Sequence, residues 1–309
     1  MRPFVNVPKK AFLNWSDAMK TFFTVLVIIG VVMLVMGAEA RYDVQDHEMI
    51  KRILEFSSGN GTKVLEVDNV QGAIHVTGYS GRNVEMTVNK TIRAESQDKL
   101  QRAKQEVKLD INDKSDTINI YVDQPGHNRS TRTSSHSHWS HDRGYEVTFD
   151  FDLQVPREAT VHLWTVNNGD IVVRNLAGDF DVSNVNGGIE MREISGSGDA
   201  YTVNGPVKAV KVAFANNPTK DSTFHSINGV IEVAFQKNLS ANLRYKTFNG
   251  GVYTDFPITA LPQPPGTAER RNGKFVYRSN GFSGARVGNG GPEMRFDGFN
   301  GNIRILEAK

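Results

Sequence analysis

The chain of 309 residues has no cysteine, which excludes disulfides, a thiolate metal site and lipid attachment through an N-terminal cysteine. Stability must come from packing and hydrogen bonds. Net charge is equally scarce, with 36 Lys plus Arg against 34 Asp plus Glu. Arg2, Lys9, Lys10 and Lys20 face only Asp17 and Glu39 in the first forty residues, so the remainder carries 32 of each sign. A balanced body lacks the basic excess by which phosphate backbones or anionic lipid hold a protein, and no nucleic-acid partner is expected. Enzyme motifs are missing as well. There is no Gly-x-Ser-x-Gly elbow, no Walker A loop and no Gly-x-Gly-x-x-Gly opening a helix. His47-Glu48 begins a zincin-like motif, but Lys51 stands where its second histidine belongs. No catalytic residue, no cofactor and no enzymatic activity are expected. At 39% hydrophobic residues the chain can still bury a core and should fold.

The one long apolar run is N-terminal. Thr21 to Gly37 follows a basic region ending at Lys20 and closes on Ala38-Glu39-Ala40, a small-x-small pattern. Residues 1–40 therefore read as a signal peptide cleaved after Ala40, with Arg41 the first mature residue. The same run, about 18 residues, also suits an uncleaved anchor with its basic flank in the cytoplasm. Cleavage places the protein in the periplasm, outer membrane or cell surface, and retention leaves it on the inner membrane facing the periplasm. The membrane is expected to be touched only through this segment.

After a linker expected over 41–54, the texture from residue 55 onward is short alternating apolar runs punctuated by glycine, a pattern of strands with little helix. Ser96 to Lys108 dissents: Leu100, Ala103 and Val107 lie at helical spacing among charges. Val107–Ile111 and Ile118–Val122 read as a hairpin, and Tyr145 to Val155 alternates over eleven positions until Pro156 ends the strand. Gly169, Gly178, Gly187, Gly196 and Gly205 are nine residues apart, and Ile171, Phe180 and Ile189 keep the same beat, so each unit is one strand and one turn. Asn-Gly or Gln-Gly turns recur at Gly72, Gly169, Gly187, Gly205, Gly229, Gly250 and Gly301. These glycines are expected at turns, with φ above zero at Gly187. Asn-Gly suits a two-residue hairpin, giving an antiparallel sandwich or meander, while glycine corners every 9 or 18 residues suit a β-solenoid.

The quoted beat, with Val155-Pro156, Thr160-Val161, Asn168-Gly169-Asp-Ile171-Val-Val173, Gly178-Asp-Phe-Asp-Val182, Asn186-Gly187-Gly-Ile189 and, upstream, Val67 to Val76, resembles a bacterial adhesin domain family of unknown function. That family is built of β-strand repeats and related to autotransporter-adhesin-like head domains. The resemblance covers roughly residues 60 to 255. It implies a single-stranded right-handed β-helix, an exported location and no known activity, and it brings no catalytic or binding residues with it. The fold expected is therefore an all-β solenoid from 55 to 309 with one helical insertion.

Two long connections interrupt the strands. Residues 126–144 hold His127, His136, His138 and His141 among Ser, Thr and Arg. They read as a polar loop whose His136, His138 and His141 are candidate ligands for a borderline metal. Residues 257–273 contain Pro257, Pro262, Pro264 and Pro265 and read as a proline-rich loop. Gly169-Asp170, Gly178-Asp179 and Gly198-Asp199 evoke calcium-binding repeats but lack the second glycine pair, so ordinary turn chemistry is expected.

Three functions fit: an adhesin-like or scaffolding envelope protein, a carbohydrate-active or polysaccharide-binding protein using outward Asp170, Glu190, Lys208 and Glu232, and an anchored periplasmic sensing module. The expected partner is an envelope protein or polysaccharide. A monomer is expected, because the helix covers part of the sheet and Arg304, Glu307 and Lys309 charge the last strand.

Overall fold

Alternation of apolar and polar residues becomes strand along most of the chain. The computed structural model describes residues 42–57, 61–113, 116–127, 143–205, 209–262, 267–271, 274–278 and 281–308, and among them lie 23 strands and one helix. The all-β expectation holds. Two sheets are large, mixed and open, and their inner faces share one core in a sandwich-like arrangement. Sheet A runs through Val44–Leu54, Val84–Ala94, Tyr145–Pro156, Ile74–Tyr79, Ile171–Arg174, Ile189–Ile194, Val210–Phe214, Ile231–Phe235, Ile303–Glu307 and Val252–Thr254. Sheet B runs through Ile258–Leu261, Ser283–Val287, Ala241–Lys246, Glu293–Asn300, Ser222–Asn228, Gly198–Asn204, Phe180–Asn184, Thr160–Thr165, Val64–Asp68, Thr117–Asp123 and Lys108–Asn112.

From Thr160 to Phe235 the chain lays one strand on sheet B, crosses to sheet A and returns, each strand parallel to its counterpart one circuit earlier. Phe180 faces Gly198 and Ile171 faces Ile189, so one circuit takes two nine-residue units. Antiparallel Asn-Gly hairpins do not form here, because these turns carry the chain between sheets. Spatial order departs from chain order at the C-terminal end. Glu293–Asn300 and Ile303–Glu307 insert between the circuits Ser222–Phe235 and Ala241–Thr254.

The strands bury alternate residues. Val161, Leu163, Phe180 and Val182 point inward from sheet B against Ile171, Val173, Ile189 and Met191 of sheet A. Farther along, Phe214 stacks on Phe235 at 5.2 Å and Phe224 on Phe296 at 5.4 Å. Burying each such ring is worth about 1.5–3 kcal/mol.

The helix, α1, spans Gln97–Glu106, with the Ser96 hydroxyl accepting the Lys99 N–H at 3.3 Å as its N-cap. Leu100 and Ala103 are its buried residues, and it packs on the three antiparallel strands that begin sheet A. The 107–122 hairpin forms as expected, with Leu109 opposite Val122. Three expectations are corrected. Residues 44–54 are no linker but an eleven-residue edge strand on Val84–Ala94, since Val44 and Ile50 pack against the core. The proline-rich stretch contains strands Ile258–Leu261 and Thr267–Arg271, with Pro257 and Pro262 flanking the first. Ile303–Glu307 is interior to sheet A, so Arg304 pairs with Glu232 at 3.6 Å and guards no end.

Candidate functional site

The corner leading from sheet B to sheet A is built on one four-residue motif: a small polar residue, an apolar one, Asn, then Gly. It reads Asn184-Val-Asn-Gly187, Thr202-Val-Asn-Gly205, Ser226-Ile-Asn-Gly229 and Thr247-Phe-Asn-Gly250. In three of the four copies the first position bonds a turn carbonyl: Asn184 Nδ2 donates to Gly169 O at 2.9 Å, Thr202 Oγ1 to Gly187 O at 2.9 Å and Thr247 Oγ1 to Gly301 O at 2.9 Å, while the buried Ser226 hydroxyl makes no such bond. The third position forms a continuous amide ladder. Asn186 donates to Asn167, Asn204 to Asn186, Asn228 to Asn204, Asn300 to Asn228 and Asn249 to Asn300, all at 2.7–2.9 Å. The rung in the first full circuit is Asn167, because Asn168 is an extra residue at φ 56°. The apolar position ends in an exposed stack, Phe248 on Phe299 at 5.1 Å.

Glycine serves this corner mainly by close approach. A Cβ at Gly187 would lie 2.3 Å from Gly169 O, and one at Gly196, in the opposite corner, 1.9 Å from Gly178 O. The expected positive φ at Gly187 is not found; among the sequence-selected turns it occurs at Gly72 (116°), Gly229 (120°) and Gly301 (156°). Gly169, Gly178, Gly205 and Gly250 likewise abut a neighbouring backbone or Cβ. Two of the three Gly-Asp dipeptides cap turns: Asp170 Oδ1 accepts the Gly188 N–H at 2.7 Å and Asp179 Oδ1 the Ser197 N–H at 3.1 Å, whereas Gly198-Asp199 opens a strand of sheet B. Glu190 and Glu232 are absorbed into cross-strand ion pairs with Lys211 (3.4 Å) and Arg304 (3.6 Å). Glu190, Lys211, Glu232 and Arg304 thereby form one registered line of alternating charge across sheet A.

Chemistry-bearing side chains converge instead on the outer face of sheet B. One registered line runs Asn119, Glu66, His162, Asp181, Asp199, and the next runs Tyr121, Asp68, Trp164, Ser183, Tyr201. Strand alternation puts both lines outside, because Leu65, Val67, Val161 and Leu163 take the core. A groove of about 170 Å³ lies over these lines, lined by Glu66, Asp68, Tyr121, His162, Trp164 and Asp181 with Asn119 at its side. His162 Nδ1 lies 3.2 Å from Glu66 Oε1, and His127 Nε2 3.0 Å from Asp68 Oδ1. The His127 ring also stacks on Tyr121 at 5.0 Å, and Tyr121 Oη donates to His127 O at 3.2 Å. The first loop histidine thus fixes one wall. A wider hollow of about 580 Å³ sits at turns leading from sheet A to sheet B, among Lys63, Tyr79 and Arg157.

Farther along sheet B, Tyr201 stacks on His225 at 4.8 Å. Burial pushes the His225 pKa below its ordinary value against the opposing pull of Asp297. No group of three metal-competent side chains occurs among the described residues. His136, His138 and His141, the cleavage residues Ala38, Ala40 and Arg41, and Lys208 lie outside the described residues. No helix among the described residues is long and apolar enough to cross a membrane. Sequence reading missed the groove: its residues occupy ordinary solvent positions of four separate strands, and only their register joins them.

No protein-family model matches the chain, and no curated protein does. Among solved structures it is similar to a "putative cell adhesion protein" from Clostridium sporogenes, 11% identical over 86% of this chain and 100% of that one, TM-score 0.40. It is similar also to a "putative adhesin" from Bacteroides fragilis, 9% identical over 84% and 97%, TM-score 0.32. A third, a "putative lipid binding protein" from Parabacteroides distasonis, is 9% identical over 86% and 98%, TM-score 0.27. At these values the likeness assigns neither activity nor ligand.

Proposed function

We propose that this chain is an exported, non-enzymatic envelope module, adhesin-like or scaffolding, which acts by presenting the outer face of sheet B to a protein or polysaccharide of the envelope. In this reading the two sheets are opposite walls of one right-handed β-solenoid that begins near residue 55, the strand Val44–Leu54 being added at its end. The observation that carries it is registered stacking. Asn ladder, inner polar column and aromatic stacks all repeat from circuit to circuit, which supports an outer surface whose side chains recur at the strand spacing of about 4.8 Å. A fixed, repetitive surface suits attachment, which needs no moving part.

The carboxylates of Glu66, Asp68 and Asp181 in one groove favour, as a second reading, a carbohydrate-active enzyme. Incubation of the purified protein with a polysaccharide panel separates the two. The binding module retains polysaccharide without producing new reducing ends, whereas new reducing ends, lost in a Glu66→Gln variant, support the enzyme. Fractionation of the source cells checks export: the protein belongs in the envelope, and a cytoplasmic location contradicts the proposal.

A further inference from the structure

We propose that the groove over Asp68 is a binding site for an amino sugar, one hexosamine ring carrying a free, protonated amine. The inference rests on the reading of this outer face as a binding surface. The groove's volume of about 170 Å³ matches one pyranose ring rather than an extended chain. Its two aromatic members differ in role. Tyr121 is 7% exposed and lies against His127, so it serves as wall, whereas Trp164, half-buried on the next strand but one, presents the indole against which the C–H face of a sugar can lie.

Charge selects among sugars. Glu66, Asp68 and Asp181 line the groove with no Lys or Arg among its lining residues, and Asp199 follows Asp181 on the next strand. An anionic sugar is repelled there, and a neutral one adds no positive charge beside the acidic row in a recess where water is partly displaced. An ammonium group supplies that charge, and its attraction to the indole adds to it. A simple alkylammonium would meet the charge but leave the ring-sized space unfilled. His162 and His127 each sit on one carboxylate oxygen, of Glu66 and Asp68 respectively. They hold both carboxylates still while leaving the second oxygen of each to accept from ammonium or hydroxyl, a preorganised acceptor set.

The test is calorimetric titration of the full exported protein with four probes: the β-1,4-linked glucosamine tetramer, its N-acetylated counterpart, cellotetraose and n-butylammonium. The glucosamine tetramer is expected to bind at least tenfold more tightly than the other three, and to weaken as salt is raised. Trp164→Ala should abolish binding. Asp181→Asn, which keeps the shape, should cut the preference for the amine over cellotetraose several-fold while the thermal melt stays unchanged. Equal affinity for the acetylated or neutral tetramer overturns the amine assignment and leaves the binding-surface reading intact. Equal affinity for butylammonium overturns the sugar, and full binding by Trp164→Ala overturns the groove. Reducing ends appearing during the titration would instead overturn the non-enzymatic reading.

Discussion

Phe214 of sheet A and Phe224 of sheet B meet edge to face, with ring centroids 6.2 Å apart and planes at 77°. This contact joins the two stacks, since Phe214 also lies on Phe235 and Phe224 on Phe296. Both residues are at most 2% exposed. Phe224→Ala removes a ring shared by two circuits and two sheets, and is expected to cost about 3–5 kcal/mol in denaturant unfolding. Phe224→Leu, which keeps most of the volume, should cost about half of that or less.

Asn204 is an interior rung of the amide ladder, donating to Asn186 and accepting from Asn228. Asn204→Ala breaks both bonds in an exposed position and should destabilise by about 1–2 kcal/mol. Asn249 is the terminal rung and makes a single ladder bond, to Asn300. Asn249→Ala should cost roughly half as much, and equal melting shifts for the two variants would mean the ladder adds nothing.

Gly187→Val forces a side chain against Gly169 O and Asn184 Nδ2. The expected loss is about 1–3 kcal/mol from overpacking. At Asp170 the decisive atom is Oδ1, the acceptor for Gly188 N–H. Asp170→Asn keeps an acceptor and should be nearly neutral, while Asp170→Ala should cost about 1 kcal/mol. Thermal melts of the three variants rank them directly.

How far the sequence discloses this fold can be judged from the same turns. Strand alternation, helix α1 and the glycine beat are all legible, because each is a local consequence of burying one face. The order of circuits is not. Ser226-Ile-Asn-Gly229, Gly298-Phe-Asn-Gly301 and Thr247-Phe-Asn-Gly250 carry nearly the same motif, so any of these circuits offers its neighbour the same ladder. Nothing local reveals that Glu293–Glu307 sits between the other two. The inner polar column is equally readable, two residues before Asn186, Asn204, Asn228 and Asn249, but polar residues in an alternating strand are ordinarily assigned to solvent. The groove is the extreme case: Glu66, Asn119, His162 and Asp181 are brought together by parallel register alone.

Acid should loosen the stack in two stages. Burial holds the pKa of His225 below its ordinary 6.5, so the folded protein binds that proton less readily than the unfolded chain. The contribution is fully present above about pH 6.5 and declines as pH falls below it. Asp179 is drawn upward by burial, but hydrogen bonds from Lys220 and from the Ser197 N–H outweigh this and leave its pKa lowered. Glu190 is lowered chiefly by its hydrogen bond with Arg192. Their stabilisation is present above about pH 4.5 and lost as pH falls through the lowered folded values. Urea midpoints between pH 7 and 3 should decline in both ranges, and His225→Gln should flatten only the upper one.

The most direct test of the presented surface uses a deletion strain complemented with either wild-type protein or the outer-face variant Trp164→Ala/Asp181→Asn. Export and thermal stability are measured alongside attachment of the cells to a polysaccharide-coated surface. The account predicts that the variant is exported, folded and unable to restore attachment. Full attachment by an exported, folded variant would contradict it.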